Sequence, residues 1–247
     1  MYIKLLRKSI MGLLNLPIVM ARDTYNHDNA NKLATQEQID EGKYFGKYAL
    51  TAIGNKRLDN LQECIEYCFK NNIDGDMIET GVWRGGATIF MKGLCDYYKK
   101  EKKVFVADSF EGCPEPSISG FEEDKNSHYH KETAMIVSYE EVVNNFRKYD
   151  LLDENVIFLK GWFKDTLYTD KIQKLCILRL DGDMYCSTYE ALDALYDKVS
   201  IGGFIIIDDW GTKLGACKKA INDFFIKRNL NYKIIEIDWC GAFFQKL

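Results

Sequence analysis

Apolar positions along the chain change their period, and the changes mark the elements. Leu58, Leu61, Ile65 and Cys68 recur three or four positions apart, the spacing of one helical face. Asp76–Val82 then reads as a strand, and Gly85-Gly86 opens a helical stretch that runs to about Tyr98. Val104–Ala107, Val156–Leu159, Leu175–Leu180 and Phe204–Ile207 are further short apolar runs. Helical stretches are predicted between them near Tyr139–Tyr149 and Tyr189–Tyr196, and after them at Ala216–Phe225. Tyr232–Ile237 and Ala242–Gln245 finish the chain as two strands. Short, nearly continuous apolar strands separated by helices suit a parallel sheet covered on both faces. About four residues join the last two strands, too few for a parallel crossover, so the final strand should run antiparallel.

Two segments fall outside this rhythm. Residues 1–54 precede it and read as a helical extension or lid on an α/β domain at 55–247. Within the extension, Leu6, Ile10, Leu13 and Leu14 form a helical stripe behind Lys4, Arg7 and Lys8. The stretch ends Val-Met-Ala, as a cleaved leader does, but Asn15 and Pro17 interrupt its apolar run. The spacing favours a helix packed on the domain or on a partner subunit. The second segment is the polar loop from about Gly112 to Ser138, longer than ordinary connections and therefore expected to be a lid or substrate loop.

Composition narrows the class. With 47% hydrophobic and 28% charged residues the chain is an ordinary globular one. A net charge of −4 and pI ≈ 5.5 match nucleic-acid phosphates poorly. No apolar run reaches the length of a membrane span. Eight cysteines include no CxxC pair, and Cys68 and Cys176 lie in apolar runs, so reduced thiols in a cytoplasmic protein are expected.

Ligands of such sheets sit beyond the carboxyl ends of the strands. Those ends carry Glu79-Thr80-Gly81, then Trp83-Arg84-Gly85-Gly86, and next Asp108-Ser109-Phe110. Gly161-Trp162, Asp181-Gly182-Asp183 and Asp208-Asp209-Trp210 follow. Carboxylates gathered on one rim repel one another, so something must neutralise them. The glycines at 81, 85 and 86 make neither a dinucleotide fingerprint nor a P-loop, yet they leave room for a ligand near the backbone. Asp108 is placed to take ribose hydroxyls, and Glu79 favours a cationic ligand such as a sulfonium over a pyrophosphate. Asp181 and Asp183 alternate across a strand end and share one side. Together with Asp208 and Asp209 they form a hard-oxygen set suited to Mg²⁺, Mn²⁺ or Ca²⁺.

Several ordered segments carry a resemblance. ETGVWRGGATIFMKG (79–93), VADSFEG (106–112), GWFKDTL (161–167), LRLDGDMYCSTYEAL (178–192) and IIIDDWG (205–211) are similar to the macrocin O-methyltransferase (TylF-like) family. RLDNLQ (57–62), NFRKYDLLDENV (145–156) and the opening YIKLLRKSIMGLL match as well. The resemblance implies a class I, Rossmann-like methyltransferase fold with a seven-stranded sheet, helices on both faces and an antiparallel last strand. It implies S-adenosylmethionine and a divalent metal, usually Mg²⁺, and methylation of a sugar hydroxyl on a small glycosylated molecule, in a homodimer or larger homo-oligomer. Carried over by position, the metal ligands correspond to Asp181, Asp208 and Asp209, and the general base to Asp183. The cofactor site corresponds to Glu79, Thr80, Gly81, Arg84, Asp108, Ser109, Gly161, Trp162 and Asp181. The chain departs from the family at Cys186, often acidic in relatives, and at Thr51–Gly54, which borders the substrate side; both departures bear on the acceptor.

Other readings of single residues stay open. Trp83 and Trp162 either pack or, for Trp162, stack on adenine. Phe110 reads as structural, and Arg84 either grips the cofactor carboxylate or pairs with a glutamate. His128 and His130 are a base, metal ligands or solvated loop residues. Lys99–Lys103 reads as a solvated turn. Two other functions compete: a glycosyltransferase that uses Asp181-Gly182-Asp183 as a D-x-D motif, and a nucleoside-binding relative without turnover.

Overall fold

Five parallel strands and an antiparallel pair build the sheet whose carboxyl edge carries the turns described above. The computed structural model describes residues 1–14, 19–20 and 33–247. The strands are β1 (Asp76–Thr80), β2 (Val104–Asp108), β3 (Val156–Lys160), β4 (Leu175–Leu180), β5 (Val199–Ile207), β6 (Ile235–Glu236) and β7 (Ala242–Gln245). Their order across the sheet is β3-β2-β1-β4-β5-β7-β6, with β7 antiparallel to both β5 and β6. This is the expected seven-stranded class I arrangement with its reversed last strand.

Strand alternation explains how one sheet supports two cores. Met77, Val104 and Val106 point to one apolar cluster, while Ile78, Phe105 and Ala107 point to the other. Helices α1 (Tyr2–Ile10), α2 (Asn55–Lys70), α3 (Gly86–Tyr97) and α4 (Tyr139–Lys148) supply the first cluster. Helices α5 (Tyr185–Leu195) and α6 (Ala216–Arg228) supply the second. The predicted stripe Leu58, Leu61, Ile65, Cys68 is buried along its whole length.

The N-terminal stripe also packs on the domain. Leu6 and Ile10 are buried, and Leu6 lies against the bare backbone of Gly93 on α3, where a Cβ would stand 2.3 Å from its Cδ2. Leu14 is 51% exposed, so the stripe ends at Leu13. Asn15, Pro17 and Ala21, on which the leader alternative turns, lie outside the described residues.

Three boundaries differ from expectation. β1 stops at Thr80 because Gly81 turns the chain with φ +88°. β5 begins at Val199, not Phe204; a register shift opposite Leu175–Ile177, with Gly202 at φ +83°, disguises the strand's first half as a turn. The stretch Tyr232–Ile237 keeps only Ile235 and Glu236 in the sheet, both exposed at its edge. The eight cysteines are all unpaired thiols. Among the described residues no helix is long and apolar enough to cross a membrane.

Candidate active site

The carboxyl ends of β1 to β5 open into one cavity of about 530 Å³. Its first loop follows β1. A Cβ on Gly81 would lie 1.8 Å from the Asp181 carbonyl oxygen, and one on Gly86 would lie 2.5 Å from that of Leu50. The glycines are therefore demanded by the chain's own close approaches. Gly81 lines the cavity as well; Gly85 and Gly86 do not.

Asp108 fastens the second loop to the first. Its carboxylate accepts the backbone N–H of Val82 and that of Phe110, each at 2.8 Å, and still forms part of the wall. Gly161 donates its N–H to the Asp108 carbonyl at 2.9 Å, which brings the third loop alongside. Trp162 then stands on the wall at the start of the short turn Phe163–Thr166. Ser109 lines the cavity and donates to the Gly112 carbonyl at 2.8 Å, at the root of the long loop.

What neutralises the rim is a pair of buried arginines that the strand-end motifs did not reveal. Arg179, within β4 and 1% exposed, bonds Glu79 and Asp208, and reaches Asp181 Oδ2 at 2.5 Å. Arg57 on α2 holds Asp208 Oδ2 at 2.5 Å and the buried Asp238 at 2.9 Å. The available signal was Arg179 itself, the one charge in the otherwise apolar run Leu175–Leu180: a guanidinium in a buried strand requires carboxylate partners.

The two arginines divide the carboxylates into two kinds. Burial works to raise the Asp208 carboxyl, but the flanking Arg179 and Arg57 outweigh it and hold the group below the usual range. Asp181 is pushed up to about 6 by burial and by Asp208, against the pull of Arg179. Glu79 is pushed up to about 8, chiefly by burial. Asp183 and Asp209 touch no cation among the described residues. Burial, then the neighbouring carboxylates, drive both well above the ordinary carboxyl value. Full ionisation of these groups would place more negative charge in the pocket than Arg179 and Arg57 offset, and the buried Glu79 Oε2 has no hydrogen-bond partner.

Asp181, Asp208 and Asp209 each offer an oxygen within 4.8 Å of the others. Three hard oxygens so placed fit a divalent cation. Asp183 stands outside this set. It adopts φ +60°, and its backbone N–H donates to Asp209 Oδ2 at 3.1 Å.

Two residues expected in the cofactor site lie off the cavity wall. The Thr80 hydroxyl is buried and donates to the Arg179 carbonyl at 3.3 Å. Arg84 donates to the Ala49 carbonyl at 3.1 Å, lies 4.6 Å over the Trp83 ring and pairs with Glu141 at 3.6 Å, the second of its two sequence readings. Trp83 lines the cavity and donates its indole N–H to the Ala134 carbonyl at 2.8 Å, tying the long loop to the first loop. Phe110 is buried against Tyr139 and Phe158. Neither His128 nor His130 reaches the wall. Cys113, Trp239 and Cys240 do, and nothing in the strand-end motifs pointed to them.

Known proteins are similar to this chain in sequence and fold. The profile of the Macrocin-O-methyltransferase (TylF) family matches residues 7–246. Demethyldecarbamoylnovobiocin O-methyltransferase of Streptomyces niveus is 43% identical over 91% of this chain and 86% of its own length. The 8-demethyl-8-(2,3-dimethoxy-alpha-L-rhamnosyl)-tetracenomycin-C 4'-O-methyltransferase of Streptomyces olivaceus is 42% identical over 83% of this chain and 78% of its own. The solved structure of the O-methyltransferase NovP superposes with a TM-score of 0.89 at 40% identity, covering 99% of this chain and 98% of that one. The chain belongs to the macrocin O-methyltransferase family and is an O-methyltransferase of the class I fold.

Proposed function

We propose that the protein transfers a methyl group from S-adenosylmethionine to a sugar hydroxyl on a glycosylated natural product or surface-glycan precursor, with a divalent cation, Mg²⁺ or Mn²⁺, in the site. The observation that carries this reading is the crowding of Asp181, Asp183, Asp208 and Asp209, whose full ionisation would give negative charge that the two arginines do not offset, in the same cavity as the unpartnered Glu79 oxygen. A cationic sulfonium and a divalent ion both offset that charge. The sugar acceptor is supported by the two relatives, one of which is named for a rhamnosyl compound. The fold, with its glycine turn at the first strand end and its carboxylate at the second, supports the donor.

The cation would be held by Asp181, Asp208 and Asp209, and would supply positive charge that lowers the pKa of a neighbouring hydroxyl and fixes its position. Asp183, anchored through its N–H to Asp209 and paired with no arginine among the described residues, takes the proton from the acceptor hydroxyl. Arg179 and Arg57 hold Glu79, Asp181 and Asp208 in place without neutralising Asp183. Methyl transfer brings a cationic donor and an anionic oxygen to neutrality, so a dry cavity favours it. The 112–138 loop and residues 1–54 are the covers in this reading, and residues 55–247 the methyltransferase domain. Eight unpaired thiols suit a reducing cytoplasm.

The test is a thermal melt with S-adenosylhomocysteine or UDP, each with and without Mg²⁺. S-adenosylhomocysteine should raise the melting temperature and UDP should not. The reverse result favours the D-x-D glycosyltransferase reading.

A further inference from the structure

The long loop does more than cover the cavity. Asp124, in its middle, is 1% exposed although it lies on a polar surface loop. Its Oδ1 accepts the backbone N–H of Tyr185, and its Oδ2 accepts that of Cys186, both at 2.9 Å. The Ser119 hydroxyl donates to the same Oδ2 at 2.9 Å. Tyr185 and Cys186 open α5, whose own N-cap, Met184, has no side chain able to accept their N–H groups. A carboxylate about sixty residues upstream thus caps the helix that begins directly after the Asp181-Gly182-Asp183 turn.

Two further contacts hold the same part of the loop. The Phe121 ring lies 5.1 Å from that of Tyr185 and 5.8 Å from that of Tyr189. Lys219 at the start of α6 pairs with Glu123 at 3.3 Å. At the end of that turn stands Asp183 with φ +60°, a backbone conformation that costs a non-glycine residue about 1 kcal/mol and persists only where its surroundings enforce it. Those surroundings are now named. On one side the Asp183 N–H is held by Asp209, and two residues further on the chain is held by Asp124.

We propose that Asp124 is a positioning residue that couples closure of the 112–138 loop to the placement of Asp183, because its carboxylate caps the helix that starts just after the Asp181-Gly182-Asp183 turn. With the loop open, the N–H groups of Tyr185 and Cys186 lose their partners and the left-handed residue loses one of its two anchors. With the loop closed, the turn is held in the form in which Asp183 faces the cavity. The role given to Asp183 rests on the function proposed above; the coupling itself does not.

Asp124→Ala tests it by two readouts. Deuterium exchange of the amides in 181–187 should rise about 10-fold, as expected for loss of a local restraint. With a methyl acceptor, kcat should fall about 10- to 100-fold, the usual cost of losing an orienting partner. S-adenosylhomocysteine affinity should stay within about twofold, because Asp124 is absent from the cavity wall. Ser119→Ala removes one bond to Asp124 and leaves the cap; it should shift exchange and kcat in the same directions by a few fold, which keeps the test open if the alanine variant folds poorly. Unchanged exchange at 181–187 in both variants overturns the coupling. So does a rise in exchange with an unaltered kcat, or equal losses of kcat and S-adenosylhomocysteine affinity. If the wild-type protein transfers no methyl group but Asp124→Ala still loosens 181–187, the function proposed above fails and the coupling stands.

Discussion

Asp183 donates its backbone N–H to Asp209 Oδ2 at 3.1 Å, so the residue proposed as the base is oriented by a residue proposed to hold the cation. Within the group Asp181, Asp183, Asp208 and Asp209, they are also the two that no arginine among the described residues relieves. Their shared isolation sets up the first prediction. Asp183→Asn keeps the backbone link to Asp209 and the volume of the side chain, but removes the base. Turnover should drop about 10²- to 10⁴-fold, while calorimetry should show S-adenosylhomocysteine and Mg²⁺ binding within a few fold of wild type. A variant turning over at near-normal rate removes Asp183 from the role.

Asp208 is held by Arg57 as well as by Arg179. Arg57→Met leaves Asp208 and Asp238 buried with one cationic partner fewer, and breaking a buried pair in this way costs about 3–5 kcal/mol. Chemical denaturation should record a loss of that order. A loss below about 1 kcal/mol, the value typical of exposed pairs, would show that the Arg57 network is solvated in solution.

The raised carboxyls make a pH prediction whose sign is fixed. Asp181 is pushed up to about 6, and Asp183 and Asp209 stand well above their ordinary value. At these groups the folded protein binds more protons than the unfolded chain, so their contribution to stability falls as pH rises from about 4 through 6 and beyond. A cation requires the deprotonated groups, so its affinity rises over the same range and its binding releases protons. Melting temperatures from pH 5 to 8 in chelator should decline, and Mg²⁺ should restore the loss most at the alkaline end. A chelator curve that climbs with pH across this window contradicts the assignment.

Trp83 ties the long loop to the first strand-end loop by a single hydrogen bond to Ala134. Trp83→Phe keeps an aromatic ring, though a smaller one, and deletes the donor; loss of the hydrogen bond alone costs about 0.5–1.5 kcal/mol. Trypsin should then cut faster at the exposed Lys125 and Lys131 of the loop, with the rest of the protein unaffected. Unaltered cleavage there would show that the bond does not hold the loop down.

Much of the sheet is legible in the sequence because each strand is a short apolar run whose alternate residues feed opposite cores, as Met77 and Ile78 do. The first half of β5 was hidden by Gly202-Gly203, which reads as a turn and serves as an irregularity inside a strand. The start of α5 at Tyr185, four residues before the predicted Tyr189, was hidden because its cap comes from Asp124, far away in sequence. The carboxylate cluster was visible because sheet topology gathers strand ends, whatever lies between them. Arg57 was not: it sits one position before the buried Leu58 and reaches the site only through the packing of α2. Asp108 shows the limit of reading roles from position, since the same carboxylate that lines the cavity also joins two loops through the N–H groups of Val82 and Phe110.

Methyl transfer itself is the most direct test. The protein should be incubated with S-adenosylmethionine carrying a labelled methyl group and a panel of glycosides and nucleotide sugars, in Mg²⁺ or in chelator. The account predicts label in the sugar of at least one acceptor in Mg²⁺, with loss of that label in chelator and its return when Mg²⁺ is added back. Label that enters an acceptor equally well in chelator, with Asp209→Ala as active as wild type, would contradict the cation-bound carboxylate site at the centre of the account.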